Sequence, residues 1–262
     1  MKKLIMIIAV ILLSNNAFAQ DKLYLLFEFM KVDNEQERMY GETESFWEKI
    51  HEQRVKNGDI IGWDLWALKP GGEDQGFQYL TVNLYNDPVK MFEGAGDFGA
   101  ALKAAYPNMS AEELNKIFSK TSKSRDLAVR VYLEQIDKTT GEFDMPLGTV
   151  ASIDLMKVDL RNFREYEKTE TKIFKPMHQK QVDSGSKGSW GLLRYMSPIG
   201  SETFASHITV NMYKDYKQVF TESESTVNRP KPTEKQNKAI QDGLKLREMK
   251  YVYMATLIKK VR

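Results

Sequence analysis

The apolar positions along the chain form two kinds of pattern that alternate. Short apolar runs rich in β-branched and aromatic residues are typical of strands, and longer stretches with apolar residues three and four positions apart are typical of helices. Gly58 would cap the end of the first helical stretch, and Ser110 with Glu113 fits a capping box. In order, the pattern predicts a strand at 22–32, a helix at 34–57, strands at 63–69 and 77–85, helices at 88–104 and 110–123, and a strand at 127–136.

The second half of the chain repeats the first. The segment FEFMKVD at 27–33 returns as IDLMKVD at 153–159, and TVNLY at 81–85 returns as TVNMY at 209–213. Such ordered self-similarity indicates an internal duplication. The second copy is then expected to contain a strand at 149–158, a helix at 160–183, strands at 190–196 and 203–213, helices near 214–221 and 233–247, and a strand at 250–259.

Each copy has the element order β-α-β-β-α-β, which is the ferredoxin-like unit. Helices cover one face of such a sheet, yet the first strand is apolar on both faces from Leu23 to Met30. The second face therefore needs a cover of its own. We predict an α+β protein of two tandem repeats, residues 20–136 and 149–262 with a linker at 137–148, whose antiparallel sheets pack together.

The N-terminus has the pattern of a signal peptide at 1–19. Two lysines precede a run of about ten apolar residues, and Ala17-Phe18-Ala19 supplies the small residues of a cleavage site. The apolar run is shorter than the roughly 20 residues of a membrane span, so we expect no stable membrane anchor. The predicted location is periplasmic or extracellular, after cleavage near Ala19.

Charge and cysteine content narrow the classes of partner. The chain has 38 basic and 36 acidic residues, and two of the lysines leave with the predicted signal. A balanced charge gives no reason to expect nucleic acid as a partner. There is no cysteine, so stability must come from core burial, although the predicted compartment permits disulfides.

The conserved order of residues in the two copies resembles one known group of proteins. Both copies contain the same motifs in the same order: Tyr-x3-Glu, a Trp or Phe, His, Gly, Gly/Ser-Trp and Thr-Val-Asn-x-Tyr. This resembles exported bacterial proteins without an assigned activity in the dimeric α+β-barrel superfamily, over nearly all of the mature chain. The resemblance implies a barrel built from both repeats within one chain. The superfamily includes cofactor-free monooxygenases, haem-handling enzymes and small isomerases, but no motif of a characterised branch is present, so no catalytic residue is carried over.

The first candidate site is a stripe on the first helix. At 100° per residue, Tyr40, Glu44, Trp47 and His51 fall within about 60° of one another. A carboxylate beside the imidazole would raise the histidine pKa and create a base or a charged anchor. The alternative is structural, with the two aromatic residues in the core and the two polar residues at the helix–sheet seam. The matching candidates in the second copy are Tyr166, Glu170 and His178.

The second copy carries one extra residue between Glu170 and His178. In a regular helix this insertion would swing His178 about 100° away from the stripe. Pro176 lies in the same stretch and cannot donate a helical hydrogen bond. We predict a π-bulge or kink that absorbs the insertion. An ordinary proline kink without function is the alternative.

The second candidate site is the polar face of the third strand in each copy. Alternation places Leu80 and Val82 on one face, which we expect under the helices, and the polar residues on the other, towards the space between the sheets. A cavity there would be lined with hydroxyls, amides and rings. The alternative is a hydrogen-bonded contact between the repeats. The candidates on this face are Tyr79 and Asn83 in the first copy and His207 and Asn211 in the second.

Trp63 and Trp190 open the second strand of each copy. A tryptophan at this corner closes the core in one interpretation and forms a platform for ligand stacking in the other. No metal site is predicted, because the chain lacks cysteine and the paired-histidine spacings of zinc sites.

Three functions remain open from the sequence. The first is an exported binder of a small, partly aromatic molecule in a cavity between or beside the sheets. The second is a barrel-type enzyme: a cofactor-free oxygenase, an isomerase, or a haem-using protein with His51 or His178 as axial ligand. The third is a non-catalytic interaction module with a solid barrel. No cofactor is predicted under the first interpretation, and the protein is expected to be a monomer or homodimer.

Overall fold

The computed structural model describes residues 22–33, 35–70, 76–94, 96–227 and 232–262, with the side chains of 222–227 left aside. The predicted signal peptide lies outside the described residues, as do Gly71 and Gly72 between the second and third predicted strands. The first copy contains β1 (Tyr24–Lys31), α1 (Glu37–Lys56), β2 (Gly62–Lys69), β3 (Tyr79–Tyr85), α2 (Pro88–Glu93), α3 (Phe98–Ala105), α4 (Ala111–Ser124) and β4 (Asp126–Lys138).

The second copy follows the same order. It contains β5 (Val150–Val158), a 3₁₀ turn (Leu160–Asn162), α5 (Phe163–Thr169), a π-helical segment (Glu170–Phe174), α6 (Lys175–Asp183), β6 (Ser189–Ser197), β7 (His207–Tyr213), α7 (Tyr216–Val227), α8 (Glu234–Leu244) and β8 (Arg247–Val261).

The eight strands close into one antiparallel barrel in the order β1-β3-β2-β8-β5-β7-β6-β4. Each copy supplies four neighbouring strands, and the two sets join where β2 pairs with β8 and where β4 pairs with β6. Every strand therefore has a partner on both edges, which removes the exposed edges that invite aggregation. The predicted α+β class and the barrel formed within one chain are confirmed.

The two faces of the sheets are reversed relative to our expectation for the third strand. Leu80 and Val82 face the barrel interior, where they pack with β1 residues such as Phe27 and with Ile153 and Ile208 of the second copy. The polar alternate positions lie under the helices instead. The prediction was wrong because the barrel interior is the larger apolar core, shared by both copies, and it takes the more apolar face of each strand.

Most helix boundaries follow the predicted signals, with two differences. The capping box of Ser110 and Glu113 is confirmed, and Gly58 has the positive φ of 74° that suits a glycine after a helix end. The predicted helix at 88–104 is two helices, because Gly94 ends α2 in a left-handed conformation and Asp97 caps the start of α3. The helix predicted near 214–221 extends to residue 227.

The predicted disruption between Glu170 and His178 is confirmed as a π-helical segment. A π turn holds one more residue than an α turn, so it absorbs the insertion and restores the register of the residues that follow. His178 consequently stacks on Trp190 with ring centroids 5.1 Å apart, as His51 stacks on Trp63 at 4.8 Å.

Candidate functional site

The first copy contains a pocket between α1 and the helix-covered face of the sheet. It encloses about 450 Å³. The sheet forms its floor, α1 its roof and α2 one side wall. Because the polar alternate positions of the strands meet the aromatic stripe of α1 here, the lining is mixed in character, as is typical of small-molecule sites. Five predicted candidates line it: Glu44, Trp47, His51, Trp63 and Asn83.

The floor carries a charged pair and an amide. Glu28 on β1 accepts hydrogen bonds from the Arg130 guanidinium on β4 at 2.6 and 2.9 Å, and the Thr81 hydroxyl lies 3.4 Å from the same carboxylate. These residues meet because Glu28 is directly opposite Arg130 and Thr81 in the strand register. Asn83, two residues further along β3, is buried, and no donor among the described residues bonds its Oδ1.

The roof carries a second charged pair. Arg125, between α4 and β4, donates to Glu44 Oε1 at 2.6 Å. Burial raises the pKa of the Glu44 carboxyl to about 7, and the positive charge of Arg125 opposes that shift. Glu44 therefore exchanges its proton near neutral pH, in the range where a general acid or base is most effective.

His51 is held neutral on the pocket wall. Its ring stacks on Trp63 at an interplanar angle of 15°, and the Arg54 Nη1 lies 3.4 Å from its Nδ1. Since a guanidinium only donates, Nδ1 is the acceptor and Nε2 carries the proton. Burial, together with the charges of Arg54 and Arg125, lowers the pKa of His51 well below its ordinary value. The expectation of a raised histidine pKa was wrong, because burial disfavours the charged ring and the nearest charges are cations.

In the second copy a lysine side chain lies against the matching histidine and asparagine. Lys187 is buried, and its Nζ lies 2.8 Å from Asn211 Oδ1 and 3.0 Å from His178 Nδ1. Asp154 accepts hydrogen bonds from the Asn211 amide and from two hydroxyls. The same strand and helix positions thus form an open pocket in one copy and a hydrogen-bonded cluster in the other.

The remaining candidates lie outside the first-copy pocket lining. Tyr40 packs on Tyr79 with ring centroids 4.5 Å apart, beside the pocket. In the second copy, His207 packs between Phe163 and Tyr166 and bonds Glu167. Buried Glu170 lies 3.9 Å from Arg247, and burial raises its pKa. These residues have structural contacts in the helix–sheet layer.

Several pocket residues were not proposed from the sequence. Arg125 matches Arg247 in the repeat, and two matched arginines beside two matched buried glutamates could have indicated the ion pairs. Arg130 has no such signal, because the residue paired with Asp154 at its position in the second copy is Val252. Only the packing of α1 and α2 on the sheet places Arg54 and Phe92 at the pocket. The Phe92 ring stacks on Tyr132 with ring centroids 4.5 Å apart.

A second cavity lies at one mouth of the barrel, between the two sheets. It encloses about 330 Å³ and is mainly apolar, with Leu25, Phe27 and Ile153 among its walls and Phe143 of the linker beside it. The barrel is therefore not filled solid. Its lining contains Trp190 but none of the polar third-strand candidates, so it differs from the cavity we expected between the sheets.

The lining of the first-copy pocket does not suit a metal ion or a haem. Among the described residues, no group of three histidine or acidic side chains is arranged to hold a metal. Both sides of the first-copy pocket carry ion pairs, Glu44–Arg125 and Glu28–Arg130, where the apolar face of a porphyrin would have to lie. Burying those charges against an apolar ring would be costly.

Comparison with known proteins identifies the fold class. No known protein family and no curated protein sequence matches the chain. Three solved structures share the fold. They are a proposed monooxygenase from Lactobacillus acidophilus (TM-score 0.57, 7% identity), an anthrone oxidase-like protein (TM-score 0.54, 11% identity) and a proposed chlorite dismutase (TM-score 0.50, 9% identity). Each match covers 91–92% of this chain and 93–95% of the other. The architecture is that of the dimeric α+β barrels, completed here within a single chain.

In the part of the chain that the structure describes, no helix is long and apolar enough to cross a membrane.

Proposed function

We propose that the protein, acting after export, binds a small aromatic molecule in the pocket of the first copy. The observation that carries this proposal is the contrast between the copies: the first has an open pocket of about 450 Å³ at His51 and Asn83, whereas in the second the Lys187 ammonium lies against the matching His178 and Asn211. The volume lies within the usual range of small-molecule sites. Trp47 Nε1 and Asn83 Oδ1 at the pocket are buried without hydrogen-bond partners among the described residues, as expected of groups that a polar ligand satisfies.

The aromatic walls favour a ring-shaped ligand. Trp47, Trp63, Phe92 and Tyr132 surround the pocket, and flat side chains stack well on an aromatic molecule. The two ion pairs and the amide would then orient its polar substituents. A closed barrel within one chain needs no second subunit to cover its sheets, so a monomer is sufficient for this function.

The test is the binding of 2-naphthol, followed by quenching of tryptophan fluorescence. Leu26 lies on the pocket floor and Leu23 lines the barrel-mouth cavity, and both side chains are half-buried. Leu26→Trp should fill the pocket and weaken binding at least about tenfold, or roughly 1.4 kcal/mol. Leu23→Trp should leave it nearly unchanged. The reverse pattern would place the ligand in the barrel mouth, and the absence of binding to the unmodified protein would reject the proposal.

A second candidate function is cofactor-free oxidation of the bound aromatic molecule. It is favoured by the Glu44 carboxyl, whose pKa near 7 suits proton abstraction, and by the fold shared with a proposed monooxygenase and an anthrone oxidase-like protein. Glu44 would take a proton from the substrate carbon, and molecular oxygen would be the oxidant. With anthrone as probe, one O₂ would be consumed for each anthraquinone and water formed. Absence of oxygen uptake would exclude this activity, and equal uptake by Glu44→Gln would exclude Glu44 as its base.

A further inference from the structure

The second copy shows which chemical group the polar end of the pocket accepts. Asn211, His178 and Tyr213 surround the Lys187 ammonium, which donates to Asn211 Oδ1 at 2.8 Å, lies 3.0 Å from His178 Nδ1 and is 5.6 Å from the centre of the Tyr213 ring. The matching residues of the first copy are Asn83, His51 and Tyr85, and all three line the pocket. Lys187 therefore acts as an internal occupant of a site that both copies inherited.

The first copy lacks the group that Lys187 supplies. Counting from the matched glycines Gly58 and Gly185, the residue at the Lys187 position is Ile60, which is buried and brings no donor. Asn83 Oδ1 is consequently left without a donor among the described residues, although the side chain is only 4% exposed. Buried carbonyl oxygens in proteins are almost always hydrogen-bonded, because burial removes their hydrogen bonds to water and costs free energy unless a protein or ligand donor replaces them. A ligand that donates a hydrogen bond to this oxygen would satisfy it.

The charge around the site distinguishes a neutral donor from a cation. In the second copy the position matching Arg54 is Gln181, which is neutral and leaves room for the lysine charge. In the first copy Arg54 lies 3.4 Å from His51 Nδ1, next to the same place. A ligand ammonium would meet this guanidinium at short range, which is unfavourable in a partly buried site. A hydroxyl group supplies the donor without the second positive charge.

We infer that the ligand carries a hydroxyl group on its aromatic ring and that this hydroxyl donates to Asn83 Oδ1, an assignment that rests on the proposed function of the pocket. Asn83 is then the residue that selects hydroxylated rings over rings of similar shape that lack a donor. Selection of this kind is strong because a ligand without the donor leaves a buried acceptor unpaired.

The test compares 2-naphthol with 2-methoxynaphthalene, which has the same ring system but no hydroxyl donor. The unmodified protein should bind 2-naphthol about tenfold more tightly. Asn83→Leu, which keeps the shape of the side chain and removes the acceptor, should bind both probes with nearly equal affinity. Asn211→Leu is the matched control in the second copy and should keep the preference. Circular dichroism and thermal unfolding establish that each variant is folded.

The outcomes separate this inference from the proposed function. If the unmodified protein binds both probes equally well, the pocket binds aromatic molecules but the hydroxyl assignment is overturned. If Asn83→Leu keeps the preference, the assignment of the hydroxyl to Asn83 is overturned, and a loss of the preference in Asn211→Leu would place the hydroxyl in the second copy. If neither probe binds, both the pocket function and the hydroxyl assignment fail.

Discussion

Replacing Glu44 with glutamine should remove a defined part of the pH dependence of stability. The Glu44 side chain is 1% exposed, and its pKa of about 7 in the folded protein compares with an ordinary value of 4.5. Between these two pH values the folded protein binds the Glu44 proton more tightly than the unfolded chain does. The free energy of unfolding therefore contains a contribution that is complete below pH 4.5 and is lost as the pH rises through 7.

The size of this contribution follows from the two pKa values. A difference from 4.5 to about 7 corresponds to about 3 kcal/mol of unfolding free energy, as an order of magnitude. Glutamine does not titrate, so Glu44→Gln should lack this decrease. Below pH 7 the Glu44 carboxyl is mostly protonated, and glutamine resembles it in shape and in neutral charge, so the difference in slope between the two proteins reports the ionisation of Glu44.

Urea unfolding at several pH values from 4.5 to 7.5 measures the effect. The free energy of unfolding of the unmodified protein should fall by about 3 kcal/mol more over this range than that of Glu44→Gln. Glu42→Gln, an exposed glutamate on the same helix, is the control and should follow the unmodified protein. Equal slopes for the unmodified protein and Glu44→Gln would refute a buried carboxyl that ionises near neutral pH, and with it the proposed role in proton transfer.

Two further predictions use the repeat as its own control. Arg54→Gln combined with Ile60→Lys copies the lysine site of the second copy into the first, so 2-naphthol should bind at least about tenfold more weakly. Arg54→Gln alone should still bind it. Undiminished binding by the double variant would show that lysine does not occupy the ligand site. Deletion of exposed Lys172 should convert the π-helical segment to regular α-helix at a cost of about 1 kcal/mol or less, because the register beyond it is that of the first copy. Deletion of exposed Ser45 from α1 should lower the free energy of unfolding by more than about 3 kcal/mol, because it turns the following core residues by 100°. Similar urea midpoints for the two deletions would contradict this account of the π segment.

The chain alone determined the large features of the fold. The duplication, the β-α-β-β-α-β order and the two apolar faces of the first strand predicted antiparallel sheets packed together within one chain, because each feature is a property of local pattern or of repeated pattern. The barrel itself was implied by the family resemblance. The extra residue between Glu170 and His178 was also sufficient to predict the π-helical disruption, since helical geometry fixes how far one insertion turns a helix.

Only the tertiary structure decided which face of each strand meets the partner sheet. Both faces carry enough apolar residues to be buried, so alternation could not distinguish the interior of the barrel from the layer beneath the helices. The pocket depends on that choice, because it places Asn83 and Thr81 under α1 rather than between the sheets. The charges that define the site come from α1 (Arg54), from the junction of α4 and β4 (Arg125) and from β4 (Arg130). The contact of Lys187 with Asn211 joins residues 24 positions apart. Such contacts result from the packing of helices on the sheet, which local sequence patterns do not encode.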